Sequence, residues 1–272
     1  MENYMLNLIE HLGGKVMDTG GKVMETIVPK KAPTNVMNQA DIGSWNAGPG
    51  TPSDIRKLIA RMGSAGILAL QEMGGTQGRN LLAASREAGW NTLSGDYTGA
   101  DHTPVIIGPD VKVLHRTSIL LLRSQNLGPG AGPDTIINKG AVGALVRANG
   151  VTFGVASLHY PASQQFAPRM VAAESMSRST VAAFADRQFP WFLCGDFNAV
   201  PDSKAIKPLY NAGWTNNQKV RYAPTHGRRA IDYVWWRKAD SVRLLSQSII
   251  NNGSDHRAVI ARFQIGGGTK NV

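Results

Sequence analysis

Across residues 37–266 short apolar runs alternate with amphipathic stretches, and their spacings separate strands from helices. Residues 42–46 read as a strand that ends in the polar turn Ala47-Gly48-Pro49-Gly50, after which Thr51 or Ser53 caps a helix through Met62. Residues 65–71 form a short apolar strand ending at Glu72, and 79–88 suit a helix. Residues 119–123, 141–147 and 151–158 carry strand composition, and 168–187 is the longest helical stretch. Residues 189–194, 230–236, 242–250 and 258–263 complete the strands, while the Gly- and Pro-rich segment 128–133 reads as a surface loop. Many short strands with helices between them predict two packed sheets flanked by helices in one layered domain.

The two ends break this pattern. In residues 1–36, Met5, Leu6, Ile9, Leu12, Val16, Met17, Val23, Met24 and Ile27 fall near helical spacing, interrupted by Gly13-Gly14 and Gly20-Gly21. This predicts an N-terminal helical arm that folds onto the domain or docks a protein partner, with residues 29–33 as its linker. Acidic and basic side chains balance there, which argues against an anionic-lipid anchor. Residues 37–266 are expected to form the main domain and 267–272 a flexible tail.

The net charge of +10 over 272 residues points to an anionic partner, nucleic acid before a membrane surface. The single cysteine, Cys194, excludes an internal disulfide framework, and its apolar neighbours make it a small buried hydrophobe rather than a nucleophile. No apolar run is long enough to span a membrane, and Glu2 stands where a signal peptide would carry basic charge. The expected location is cytoplasmic, or delivered with a phage or toxin assembly.

Chemistry concentrates at the ends of the apolar runs. Gly195-Asp196-Phe197-Asn198 follows one run, Ile231-Asp232-Tyr233 opens another, and Ser254-Asp255-His256 precedes a third. Gln71-Glu72 and Trp45-Asn46 lie upstream, and His159 ends the 151–158 strand. Cleaving a phosphodiester needs a cation against the phosphoryl oxygens, a base for water, and donors around the phosphate. Glu72, a lone carboxylate after an apolar strand, suits a Mg²⁺ ligand, and Asn46 would orient it or touch the phosphate. Asp196 and Asn198 flank Phe197, so in extended geometry both point to one side. Asp232 would orient the His256 imidazole and raise its pKa, and His159 would bring a second imidazole from the opposite side.

These motifs resemble the endonuclease/exonuclease/phosphatase superfamily, and within it the deoxyribonuclease I-like branch that includes the cytolethal distending toxin catalytic subunit. The resemblance spans about residues 38–264. It implies an α+β four-layer αββα sandwich with its site at one rim, using Mg²⁺ or Mn²⁺. Residue by residue, it makes Glu72 and Asp255 metal ligands with Asn46 beside them. Asp196 then activates or positions water, Asn198, His159 and His256 bind the phosphate, and Asp232 partners His256. Arg123 is similar to an arginine of that branch near the DNA phosphate. In deoxyribonuclease I the first histidine pairs with an upstream glutamate, but this chain has no Glu between Glu87 and Glu174. Asp96, Asp101, Asp110 or a backbone carbonyl takes that place, or His159 is less basic.

Residues 219–238 set Lys219, Arg221, Arg228, Arg229, Arg237 and Lys238 against one acid, Asp232, and interleave Tyr222, Tyr233, Trp235 and Trp236. Such a stretch suits a nucleic-acid backbone, with Arg228 and Arg229 as phosphate contacts on a loop bordering Asp232. The expected activity is Mg²⁺-dependent nicking of DNA with little sequence preference. The alternatives are a phosphomonoesterase acting on inositol phosphates or phosphoinositides, and an inactive docking protein working through its arm.

Overall fold

A computed structural model describes residues 38–95, 102–126, 136–161, 167–184, 188–237 and 241–266. The chain divides between Val36 and Met37, and the described residues belong to the second unit. The N-terminal arm, the 128–133 loop, Asp96, Asp101, Lys238 and the tail lie outside the described residues.

Two six-stranded sheets stack face to face. The first has the order β11-β12-β1-β2-β4-β3, built from Val242–Ile250, Ala258–Ile265, Gln39–Asn46, Ile67–Gln71, Val105–Ile107 and Asn91–Leu93. The second has the order β5-β6-β7-β8-β10-β9, built from Lys112–Asn126, Ile136–Ala148, Val151–His159, Trp191–Asp196, Asp232–Trp236 and Thr215–Asn216. Helices α1 (Pro52–Met62) and α2 (Gly75–Glu87) cover the first sheet; α3 (Ala167–Phe184) and α4 (Lys207–Asn211) cover the second. The layers run αββα. Among the described residues no helix is long and apolar enough to cross a membrane.

The alternation of side chains along each strand assigns them to layers. On β10, Val234 and Trp236 enter the core between the sheets, while Tyr233 and Trp235 face α3 and α4. Cys194 joins the central core with Ile42, Phe192 and Phe263, and burial pushes its thiol pKa up, as expected for an inert hydrophobe. Helix α1 opens with Thr51 as its cap. Its Asp54 carboxylate accepts from the Thr51 backbone N–H at 3.0 Å and from the Thr51 hydroxyl at 2.6 Å.

Sheet topology brings the chemistry to one rim. β1 and β2 are parallel, as are β7 and β8, so Asn46, Gln71, His159 and Asp196 end four central strands in the same direction. β10 runs antiparallel to β8 with Asp232 opposite Asp196, and β12 runs antiparallel to β1, which places residues 254–256 beside Asn46. Buried polar bonds tie the sheets together beneath that rim. The Ser157 hydroxyl donates to the Leu70 carbonyl at 2.9 Å and accepts from the Gln71 amide at 3.1 Å. With every member partnered, these bonds hold the relative register of the sheets without leaving a buried dipole unmet.

Candidate active site

Asp196 is the hub. Its carboxylate is almost fully buried and accepts from the Asn46 side-chain amide at 3.1 Å and from the Asn198 backbone N–H at 2.8 Å. The neighbourhood of Asp196 and Asn198 does not come from strand alternation. β8 stops at Asp196, Asn198 adopts a left-handed φ of 49°, and the carboxylate caps the turn it begins. Asn tolerates that conformation because its short side chain bonds locally; here its amide donates to the Tyr160 carbonyl at 3.1 Å.

Phe197, between them, is fully buried against Tyr160, Tyr233 and Trp235, with ring centroids 4.5, 5.4 and 5.7 Å away. The turn is thus anchored from below by an aromatic cluster. Phe197→Ala is expected to cost about 3–5 kcal/mol of stability, read as a lowered denaturation midpoint at unchanged slope.

Two imidazoles face the hub. His159 Nε2 lies 3.6 Å and His256 Nε2 3.9 Å from Asp196 Oδ2, too long for direct hydrogen bonds. His256 Nδ1–H donates to the fully buried Asp232 carboxylate at 2.9 Å. Asp232 is aligned in turn by the Thr225 hydroxyl, which accepts from the Asp232 and Ile231 backbone N–H groups at 3.1 Å.

The environments push the two histidines apart. Burial works against charge on His256, but the bond and charge of Asp232, with Asp196 and Asp255, outweigh it and raise its pKa to about 9. His159 is driven well below the ordinary histidine value, first by burial and then by the positive neighbours Lys139, His256 and His102. That direction agrees with a less basic His159, while Asp96 and Asp101 lie outside the described residues. Asp110, by contrast, is engaged by the Ser64 hydroxyl. Asp196 is raised to about 7, by burial first and the Asp232 charge second, against the pull of His256 and its amide donors.

Asn46 and Glu72 adjoin this centre, with Glu72 Oε1 3.8 Å from His159 Nε2, and Asp255 lies beside His256. Asn46 turns its amide donors to Glu72 Oε1 at 3.0 Å and to Asp196, while its own oxygen accepts from the Gly48 N–H at 3.2 Å. In this arrangement Asn46 orients the carboxylates rather than offering a free oxygen. Glu72 has a left-handed φ of 58° and its side chain is 48% exposed, so it leaves the sheet and reaches into the cleft. A Cβ on Gly48 would sit 3.4 Å from Asp255 Oδ1 and 3.5 Å from Glu72 Oε2, so the two carboxylates converge on one point. Two exposed carboxylates around an unfilled cradle fit a hard divalent cation. Two other groups have ligand atoms within 4.8 Å of one another: Asp196 with Asp232 and His256, and His226 with Asp255 and His256. In both, His256 is already committed to Asp232, and in the first so is the Asp232 carboxylate, which leaves Glu72 and Asp255 as the better donor pair.

Of the arginines, Arg228 is exposed and Arg229 half-buried on the turn before Asp232, with Gly227 supplying a left-handed φ of 56°. Arg229 also bonds His226. Arg123 is exposed on edge strand β5, next to Leu122, the register partner of Lys139. The cation whose charge acts on Asp196 and Glu72 is Lys139 itself, one strand nearer the centre. Burial draws the Lys139 ammonium down, against the pull of those two carboxylates. Lys139 and His226 are the members of this cluster that sequence reasoning missed. A lysine within the largely apolar run of β6 was the available signal for the first; His226 carried none beyond its place beside the basic loop.

The Endonuclease/Exonuclease/phosphatase family model matches residues 35–256. Among solved structures, an endonuclease/exonuclease/phosphatase of Bacteroides vulgatus is similar at 16% identity and TM-score 0.66, covering 84% of this chain and 99% of its own. The human Nocturnin catalytic domain with bound sulfate shows 17% identity and TM-score 0.62 over 84% and 94%. TDP2 of D. rerio, complexed with a single-strand DNA product, shows 15% identity and TM-score 0.61 over 83% and 98%. No curated protein matches the chain.

Proposed function

The chain belongs to the endonuclease/exonuclease/phosphatase family, a family of phosphoester hydrolases that generally use a divalent metal, and on that premise we propose that it hydrolyses phosphodiester bonds in DNA, nicking with low sequence preference. The observation that carries the reading is the buried Asp196 carboxylate held between two imidazoles of opposite protonation, His159 neutral and His256 charged. In the segment before Asp232, exposed Arg221 and Arg228, half-buried Arg229 and the 60% exposed Tyr222 ring offer the basic and aromatic surface that backbone-directed binding of nucleic acid uses.

In this reading Asp196, poised near neutrality, takes a proton from the attacking water. His256 gives a hydrogen bond from Nε2–H to a phosphoryl oxygen, with Asp232 holding the ring and its charge, as the P–O bond to the sugar breaks and the leaving oxygen takes a proton from solvent water. Asn198 and neutral His159 complete the phosphate clamp, and Lys139 adds a fixed positive charge. Glu72 and Asp255 would hold Mg²⁺ or Mn²⁺, which supplies neutralisation of charge developing on the phosphate.

The test is nicking of supercoiled plasmid in Mg²⁺, with EDTA, Asp196→Ala and His256→Ala as controls. Relaxation lost in all three supports the reading; no nicking in Mg²⁺ or Mn²⁺ sends the same variants to inositol phosphates. A mannosyl-6-phosphatase of Bacteroides thetaiotaomicron shares the fold at TM-score 0.64 and 14% identity, so a phosphomonoester is the natural second substrate.

The pH profile is expected to be bell-shaped. Below its raised pKa Asp196 is protonated and cannot accept a proton, so activity rises with a midpoint at or below about 7, lower when a divalent cation sits nearby. Above about 9 His256 loses its charge and activity falls. Rates of kcat/KM from pH 5 to 10 check both limbs.

A further inference from the structure

His226 lies outside the catalytic roles assigned above, yet the fold holds it firmly against the site. The turn Thr225-His226-Gly227-Arg228-Arg229 folds back on itself. His226 N–H donates to the Arg229 carbonyl at 3.0 Å, and Arg229 N–H to the His226 carbonyl at 2.9 Å. The Arg257 N–H donates to the Thr225 carbonyl at 2.7 Å, and His226 bridges backbone to backbone with His256. The His226 ring consequently lies over the His256 ring, centroids 4.4 Å apart and planes tilted by 32°.

Its two nitrogens have unequal partners. Arg229 Nη2 approaches Nδ1 at 3.1 Å, and a guanidinium can only donate, so Nδ1 accepts and the ring proton is on Nε2. Nε2 lies 3.6 Å from Asp255 Oδ2, longer than a direct hydrogen bond and closed to one by a small rotation of the exposed Asp255 side chain. The other oxygen, Oδ1, lies 3.4 Å from the Ser254 hydroxyl and borders the Gly48 cradle opposite Glu72. The Asp255 side chain is 63% exposed, so apart from these contacts solvent leaves its rotamer free.

We infer that His226 is a positioning residue, which draws one Asp255 oxygen to itself and so keeps the other aimed at the divalent-cation position between Glu72 and Gly48. The inference rests on the reading of Glu72 and Asp255 as metal ligands. It assigns Arg229 a second task besides contact with phosphate: selecting the His226 tautomer that faces Asp255. Partners of this kind orient a ligand carboxylate without touching the metal, and their loss weakens metal binding.

The test is a Mg²⁺ titration of thermal stability on the full chain without nucleic acid, comparing wild type, Asp255→Asn, His226→Ala and His226→Gln, repeated with Mn²⁺. His226→Ala should raise the half-saturating Mg²⁺ concentration by about 10-fold. His226→Gln, which keeps an N–H donor, should recover most of that loss, and melting in EDTA should be unchanged in both. An unchanged half-saturation in His226→Ala while Asp255→Asn loses Mg²⁺ stabilisation overturns the inference alone. A melting loss in EDTA with no rescue by His226→Gln overturns it too, since that marks a structural role only. Absence of stabilisation of the wild type by either cation overturns the metal reading beneath it.

Discussion

Asp196→Asn should reduce phosphoester hydrolysis by about 10³-fold while leaving the protein at least as stable as the wild type. The rate follows from the loss of the proton acceptor, worth about 10²–10⁴ in general-base catalysis. The stability follows from the environment. The carboxylate is buried, and the Asp232 charge further disfavours its ionised form, which together hold its pKa near 7. A neutral amide of the same shape removes that conflict and keeps an oxygen for the Asn198 backbone N–H, a gain that exceeds the loss of the bond from the Asn46 amide, which then turns away from the new amide nitrogen. Stability traded for function in this way is expected of a catalytic group and not of a structural one. Single-turnover nicking together with a melting curve reads both effects; full activity, or a large loss of stability, would remove Asp196 from the centre of the mechanism.

His256→Ala should lower the rate by a comparable factor, on the order of 10³-fold, and here stability should fall as well. In the proposed mechanism the imidazolium is the donor to the phosphoryl oxygen, and loss of a preorganised donor of this kind costs about 10²–10³. Its removal also strands Asp232, a fully buried carboxylate whose side-chain partner is His256. Breaking a buried ion pair from one side costs about 3–5 kcal/mol. The double variant Asp232→Asn/His256→Gln pairs amide with amide and should regain most of that stability without regaining activity. Recovery of both together would make the pair structural.

Much of this was legible along the chain. Asp196, Asn198, Asp232, Asp255 and His256 sit at the ends of apolar strands, and a strand's end is where a polar group can leave the core for the rim; that signal is local. The central strands β2, β8 and β10 are buried along their whole length and read as uninterrupted apolar runs. Short β3 and β4 carry too few residues to show a period, and β5 extends well beyond the expected 119–123, because pairing with β6 tolerates the bulges that break its alternation. The small elements between Lys204 and Val220 depend on packing against sheet and helix and have no periodicity of their own.

The sequence by itself determined the layered sandwich, because alternating burial on strands and helices allows few other ways to cover the apolar faces. It also determined which residue types stand at the rim. What each of them does was decided by tertiary structure alone. His159 and His256 are the same residue in the chain, yet one is held neutral by burial and cationic neighbours and the other charged by a buried carboxylate. Lys139 acts on Asp196 from two strands away, and His226 stacks on His256 across thirty positions of sequence. Charge, desolvation and orientation are set by what surrounds a group in space, and those neighbours are brought together by pairings between strands distant along the chain.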